Sequence, residues 1–190
     1  MHLRVHALIE CSTVNGPAAR AVIWVQGCSL GCPGCWNPET HDPLRGFRLD
    51  VSEILEWFAK ASRENRIEGL TISGGEPMEQ APAVLELLQT LREAHPEVST
   101  GLFSGYTERE LTESLWPAIQ GHLDFAVLGR YNARRRSHDP LVSSTNQVLR
   151  LYTAHYSMAD FAAQSVEIHI DDTGLTQITG FPVLGSPVLG

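Results

Sequence analysis

The chain has 190 residues, of which 43% are apolar, and its 14 Lys and Arg against 22 Asp and Glu give a formal net charge of −8. This length and apolar content are enough for one hydrophobic core, which excludes a disordered chain and predicts a single α/β domain over residues 1–190. The acidic balance excludes the broad basic surface typical of proteins that bind nucleic acid or anionic membranes, since the one basic run is Arg134, Arg135 and Arg136.

Short β-type runs alternate with helical patterns along the chain. Strands are predicted over residues 4–9, 21–25, 70–73, 100–104, 125–128, 148–152 and 166–170. The clearest helix is predicted over 51–65, where Asp50 is placed to cap the first turn together with Glu53. A second helix is predicted over 78–94 with Pro82 in its first turn, and a third from Thr107 to about Pro117.

The order of these elements predicts an architecture. Strands that alternate with helices favour parallel pairing with right-handed crossovers, and ligands of such α/β domains gather at the carboxyl ends of the strands. The chain is too short for a complete eightfold barrel, which takes about 250 residues. The last residues, 182–190, repeat Pro-Val-Leu-Gly and are predicted to form a frayed, flexible tail.

The N-terminal sequence MHLRVHALIE lacks the long apolar core of a secretory signal. No apolar run approaches the roughly 18 residues that cross a bilayer. We therefore expect a cytoplasmic protein with reduced cysteines and with no membrane or nucleic-acid partner.

Three of the four cysteines, Cys28, Cys32 and Cys35, fall on one glycine-rich loop after a predicted strand. Thiolates are soft ligands that select iron-sulfur clusters or zinc. Structural zinc sites take four protein ligands, whereas this loop supplies three, and three ligands on a four-iron cluster leave one iron open. The alternative is a structural zinc loop that recruits Cys11; otherwise Cys11 is a small core residue.

A second motif, Gly74-Gly75-Glu76-Pro77, lies between a predicted strand and a predicted helix. Two glycines allow a ligand to approach the backbone closely, and carbonyl groups with the Glu76 carboxylate offer acceptors to a cation. The simpler alternative is a tight turn in which Glu76 is favoured by the helix dipole.

The spacing CxxxCxxC, followed in order by Gly-Gly-Glu, resembles the radical S-adenosylmethionine (SAM) superfamily. Within it, the chain is similar to the activating enzymes of glycyl radical enzymes, above all the small activase of the anaerobic ribonucleotide reductase. This likeness is carried by Asn15-Gly16-Pro17, Arg20, the run Cys-Pro-Gly-Cys-Trp-Asn-Pro-Glu-Thr at 32–40, Phe103-Ser104-Gly105-Tyr106, Val127-Leu128-Gly129-Arg130, Ser144-Thr145-Asn146-Gln147 and Thr179-Gly180-Phe181-Pro182. Gly34 stands where many relatives have an aromatic residue, and the aromatic here is Trp36.

The resemblance implies a partial, shortened (β/α) barrel with one 4Fe-4S cluster, whose fourth iron is chelated by the amino and carboxylate groups of SAM. The implied cluster ligands are Cys28, Cys32 and Cys35. Glu76 would receive the SAM amino group, Arg130 would pair with its carboxylate, and Ser104 would contact the methionyl group. The full set of implied SAM-binding residues is Trp36, Asn37, Gly74, Gly75, Glu76, Ser104, Arg130 and Asn146.

The resemblance also implies the reaction. SAM would be cleaved reductively to a 5'-deoxyadenosyl radical, which would take a hydrogen atom from a glycine of a partner glycyl radical enzyme, with no catalytic side chain beyond the cofactor. The electron would come from a donor such as flavodoxin or ferredoxin. Two alternatives stay open: radical modification of a ribosomal peptide or small metabolite, and a metal-binding module without turnover. The run of arginines at 134–136 either docks an acidic partner or is a solvated loop.

Overall fold

The computed structural model describes residues 1–161, 163, 165–170, 174 and 176–181. The strands are β1 His2–Ser12, β2 Arg20–Val25, β3 Phe47–Asp50, β4 Gly69–Gly74, β5 Ser99–Ser104, β6 Phe125–Leu128, β7 Val148–Leu151, β8 Val166–Ile170 and β9 Thr176–Gly180. The α-helices are α1 Val51–Asn65, α2 Ala81–Ala94, α3 Glu108–Leu111 and α4 Trp116–Gln120. The fold is mixed α/β, and none of these helices is long and apolar enough to span a membrane.

Seven strands form one sheet in the spatial order β3-β1-β2-β4-β5-β6-β7, and β8 pairs with β9 in a separate hairpin. The predicted parallel pairing is confirmed for β2, β4, β5 and β6. Strands β1 and β7, which no predicted helix separates from β2 and β6, pair antiparallel with them. Residues 13–19, which join β1 to β2, are too few for a parallel crossover of about a dozen residues or more. Strands β3 and β9 were not predicted, and residues 182–190, the predicted tail, lie outside the described residues.

The predicted bounds of α1 are confirmed, and Asp50 and Glu53 form the expected capping box. Helix α2 begins later than predicted because Pro77–Gln80 forms a 3-10 turn, after which Pro82 lies in the first turn of α2. The single helix predicted from Thr107 to about Pro117 is wrong. The chain forms two short helices there, and Pro117 lies at the start of α4, where the missing N–H of proline costs no helical hydrogen bond.

The two faces of the parallel strands have different roles. One face packs against α1, α2 and α4 and carries a row of paired aliphatic side chains: Ile23, Ile72, Leu102 and Ala126. Because successive side chains of a strand point to opposite faces, the neighbouring residues face away from the helices. Near the carboxyl ends of their strands, these are Trp24, Ser73, Phe103 and Val127, and all four line one cleft.

On the same face as the cleft, Arg20 is fully buried at the start of β2. Its guanidinium lies 5.1 Å from the centre of the Phe125 ring, and no ion pair joins it to an acidic side chain of the described chain. Instead, its N–H groups donate at 2.8–3.2 Å to Thr71 Oγ1, Pro17 O, Ser99 Oγ, Tyr156 Oη, Leu70 O and Ser99 O. One side chain thereby ties β2, β4 and β5 to the segment after β7.

We expect Arg20→Met to lower the free energy of unfolding by about 3–5 kcal/mol, because it leaves several buried acceptors without a donor. Urea unfolding of the metal-free protein under reducing conditions measures this change. The control is Arg63→Met in the last turn of α1, where the side chain is exposed and the expected change is about 0.5 kcal/mol or less. Equal effects of the two substitutions would contradict a structural role for the Arg20 network.

Candidate functional site

The three cysteines of the CxxxCxxC motif lie on a loop whose two ends are joined by backbone hydrogen bonds. Gly27 N donates to Thr40 O at 2.7 Å, and Cys28 N donates to His41 O at 3.1 Å. Within the loop, Cys35 N donates to Cys32 O at 3.1 Å. Gly31 and Gly34 take the left-handed φ values of +58° and +73°, which favour glycine and let the loop fold back on itself.

Cys28, Cys32 and Cys35 line the same cleft, which is partly open to solvent. All three thiols are free and half-buried. Gly74 and Gly75 also line the cleft, so the two sequence motifs border one space.

The thiols of Cys28 and Cys35 are protonated at neutral pH in the absence of metal. Burial raises the pKa of the Cys28 thiol to about 11, and the carboxylates of Glu76 and Glu79 add to this effect. Burial also raises the pKa of Cys35. Binding of metal to these side chains therefore has to release protons.

Backbone hydrogen bonds join the cysteine loop to the Gly-Gly-Glu turn. Gly75 N donates to Val25 O, and Glu76 N donates to Gly27 O, both at 2.8 Å. A third connection comes from Glu79, whose carboxylate accepts from Ser29 N at 2.8 Å and from Ser29 Oγ at 2.6 Å. The positions of the two motifs are therefore coupled through main-chain contacts.

The carboxylate of Glu76 lies in the wall of the cleft but is engaged within the protein. It accepts from Met78 N at 2.9 Å, from Ser104 Oγ at 2.8 Å and from Gly105 N at 2.7 Å. These bonds connect the end of β4 to the end of β5. Burial nevertheless raises the pKa of Glu76 to about 7, although the three hydrogen bonds favour the ionised form.

This shift predicts a pH dependence of stability. Since the folded protein holds the Glu76 proton up to about pH 7 and the unfolded chain releases it near 4.5, the free energy of unfolding should fall as pH rises between these values. At about 1.4 kcal/mol per pKa unit, the fall is up to about 3 kcal/mol. Urea unfolding of the metal-free protein at several pH values measures it. Glu76→Gln should remove this component, whereas the exposed control Glu64→Gln should keep it; the same slope in both variants would contradict the assignment.

Six of the eight residues expected to bind SAM line the cleft: Trp36, Asn37, Gly74, Gly75, Glu76 and Ser104. Arg130 and Asn146 are not among the lining residues. The Arg130 guanidinium is held by Glu110, with Nη1 at 2.7 and 2.9 Å from its two carboxylate oxygens, and it lies over the ring of Tyr106. Asn146 Nδ2 donates to Arg130 O at 2.7 Å. These two side chains lie beside the cleft, and their predicted contact with SAM stays a prediction.

Several residues of the cleft were missed by the sequence reasoning. Tyr131 packs against Trp36 with ring centres 5.2 Å apart, and the ring of Phe181 also contacts Trp36, at 6.3 Å between centres. Phe103 and Val127 also contribute to the wall, and strict alternation along β5 and β6 would have identified them. Tyr131 lies in the irregular segment after β6, where no alternation of apolar and polar residues predicts which side chains face the cleft.

The side chains of the cleft fit a cluster with an organic ligand. Tyr131 Oη and Trp24 Nε1 are buried there without a hydrogen-bond partner among the described residues, and buried polar atoms of this kind call for one. In the described chain, no three His, Cys, Asp or Glu side chains converge as ligands of one metal ion. Cys11 lies on β1 against the core and does not line the cleft. A zinc loop that recruits Cys11 therefore does not fit, whereas the three thiols of the cleft are the number of protein ligands that leaves one iron of a four-iron cluster open.

Comparison with known proteins gives consistent matches. Residues 14–150 match the family described as the 4Fe-4S single cluster domain. The anaerobic ribonucleoside-triphosphate reductase-activating protein of Vibrio cholerae is 32% identical over 158 residues, which cover 80% of this chain and 99% of that protein. The protein of the same name from Enterobacteria phage T4 is 27% identical over 75% of this chain and 90% of its own length. The pyruvate formate-lyase-activating enzyme of Staphylococcus aureus is 29% identical over 75% of this chain and 58% of its own.

Proposed function

The chain belongs to the 4Fe-4S single-cluster family that contains the anaerobic ribonucleoside-triphosphate reductase-activating proteins, and from this we propose that it is a radical SAM activating enzyme of a glycyl radical enzyme. The observation that carries the proposal is the convergence of Cys28, Cys32 and Cys35 with Gly74 and Gly75 on one cleft. The match to the Vibrio cholerae relative extends over nearly all of that protein, which supports the same activity here.

When bound, a 4Fe-4S cluster together with SAM supplies reductive cleavage of the sulfonium to a 5'-deoxyadenosyl radical, which takes a hydrogen atom from a glycine of the partner enzyme. In this proposal, Cys28, Cys32 and Cys35 hold the cluster. The chain itself binds and orients the reactants and keeps bulk water from the cleft.

We assign the SAM-binding role to Trp36, Asn37, Gly74, Gly75, Glu76 and Ser104. Gly74 and Gly75 let the ligand approach the backbone, while Glu76 and Ser104 fix the turn through their mutual hydrogen bond of 2.8 Å. Trp36, packed against Tyr131 and Phe181, covers the cleft from solvent. Arg130 and Asn146, engaged with Glu110 and with each other, support the rim beside the cleft.

Three further features belong to the proposal. The parallel strands β2, β4, β5 and β6 would form the core of a shortened, open radical SAM barrel, and a site that is partly open to solvent suits a protein substrate. The electron would come from a low-potential carrier such as flavodoxin or ferredoxin. The free cysteines agree with a cytoplasmic protein.

The test is anaerobic reconstitution with iron and sulfide, followed by iron analysis, electron paramagnetic resonance with and without SAM, and chromatography for 5'-deoxyadenosine. We expect about four irons per chain, a signal that SAM shifts, and release of 5'-deoxyadenosine on reduction. Addition of an anaerobic ribonucleotide reductase should then give a glycyl radical in that enzyme.

The other outcomes of this experiment show which part of the proposal is wrong. Release of 5'-deoxyadenosine without a radical in any glycyl radical enzyme would favour a ribosomal peptide or a small metabolite as substrate. A reconstituted protein with no SAM effect would favour a metal-binding module and overturn the enzymatic proposal.

A further inference from the structure

A run of three exposed arginines, Arg134, Arg135 and Arg136, lies directly beside the cysteine loop. A methyl group placed on Gly34 would come within 3.2 Å of Ala133 Cβ, so the segment before the arginines packs on the loop between Cys32 and Cys35. We call residues 134–136 the arginine segment.

Among the described residues, no ion pair neutralises the positive charge of the arginine segment. Neither Arg134 nor Arg136 forms an ion pair with an acidic side chain of the described residues, and the guanidinium of Arg135 donates to a neutral group, Thr145 Oγ1, at 3.3 Å. In contrast, nearby Arg130 is paired with Glu110. In the part of the chain that the structure describes, three positive charges without an acidic partner therefore stand together, although the formal net charge of the chain is −8.

Arg134 of the arginine segment borders a groove beside the cleft. The groove is also lined by Cys32, Pro33, Gly34, Arg130, Ala133 and Asn146. Pro33 and Gly34 are exposed. Leu30, Cys32 and Tyr131 line both the groove and the cleft, so the two spaces adjoin at the cysteine loop.

We propose that the arginine segment and this groove dock an acidic one-electron carrier protein that reduces the cluster held by the cysteine loop. The inference rests on the proposed function and names a surface for the electron donor. One electron leaves the reduced carrier, which is thereby oxidised by one electron, and the cluster on Cys28, Cys32 and Cys35 is reduced by one electron. No atom or ligand needs to be transferred at the contact.

The position and the charge of the arginine segment both favour an acidic carrier protein as its partner. SAM and the glycine of the partner enzyme both have to reach the cleft, which leaves the groove side of the cysteine loop as the short approach for a reductant. An acidic carrier would be repelled by a protein of net charge −8 except at a local positive surface. Local charge complementarity of this kind orients a partner and raises its association rate, by about 10- to 1,000-fold for a strongly steered encounter.

The test compares the wild type with the triple charge-reversal variant Arg134→Glu, Arg135→Glu, Arg136→Glu. Its matched control, Arg48→Glu, Arg63→Glu, Arg66→Glu, reverses three other exposed arginines and so carries the same net charge. The probe is an acidic flavodoxin. Its dissociation constant is measured anaerobically by flavin fluorescence on the reconstituted protein, and the rate of cluster reduction is measured by stopped-flow absorbance.

At low ionic strength we expect the segment variant to weaken flavodoxin binding and to slow flavodoxin-driven reduction by at least about tenfold relative to the control variant. Its salt dependence should also flatten, because surface charge effects are screened by salt. Reduction by dithionite, SAM cleavage with dithionite and iron content should equal those of the control. If the charge reversal prevents folding, the variant with glutamine at all three positions replaces it.

Equal flavodoxin binding by the two variants would overturn the proposal. So would a segment variant that binds flavodoxin normally but fails to activate the glycyl radical enzyme with dithionite, since the segment would then dock that enzyme. Failure of the proposed function is recognised separately, as a wild type that binds flavodoxin but cleaves no SAM with any reductant.

Discussion

Replacement of Cys28, Cys32 or Cys35 by alanine, one at a time, is expected to abolish SAM cleavage, with a fall of at least about 100-fold, and to leave the reconstituted protein with little bound iron. The three thiols line one cleft, and no other cysteine of the chain lines it. When one of the three protein ligands of the cluster is removed, no other cysteine is in place to replace it. Iron analysis, the absorbance of the reconstituted protein and release of 5'-deoxyadenosine measure the effect.

The matched control is Cys11→Ala. Cys11 is half-buried on β1 against the core, and burial raises the pKa of its thiol. Removal of one sulfur atom there should lower the stability slightly while leaving iron content and SAM cleavage unchanged. Loss of metal in the Cys11 variant to the same extent as in the loop variants would contradict the three-cysteine assignment and restore the zinc alternative.

Substitution of Gly75 by alanine is expected to weaken SAM binding by at least about tenfold, or about 1.4 kcal/mol, while iron content stays that of the wild type. A Cβ at this position would collide with the carbonyl oxygen of Gly27, the same oxygen that accepts the hydrogen bond of Glu76 N at 2.8 Å. Since backbone rather than a flexible side chain stands in the way, the turn has to shift away from the cysteine loop. Equilibrium titration with SAM under anaerobic conditions measures the change.

Gly121→Ala serves as the control for this glycine. Gly121 follows α4 with an ordinary helical φ of −62°, and a Cβ there meets only Ala118 O and Pro117 O, at 3.4 and 3.8 Å. We expect its SAM affinity to equal that of the wild type. If Gly75→Ala also binds SAM normally, the Gly-Gly-Glu turn does not hold the ligand and the cleft needs another assignment.

Local patterns were sufficient for several elements. Helix α1 was predicted with its observed bounds because its apolar spacing and the Asp50–Glu53 capping box are both encoded within a few residues. Strand β6 was also predicted with its observed bounds, because its four consecutive buried residues form a continuous apolar run. The prediction of a single third helix was wrong for a local reason as well. A proline that ends one helix and a proline that begins the next cannot be distinguished from the sequence pattern.

The kind of ligand follows from the residue types, since three cysteines at fixed spacing on one loop restrict it to a metal ion or a cluster before any fold is known. The turn that lies beside that loop could also be predicted, because the carboxyl ends of parallel strands meet at one edge of a sheet. Which long side chains line the cleft became known only from the folded chain. The guanidinium of Arg130 pairs with Glu110, 20 positions earlier in the chain, and the Glu76 carboxylate accepts hydrogen bonds from Ser104 and Gly105. Such pairings depend on contacts between residues far apart in sequence, and the residue types leave them undetermined.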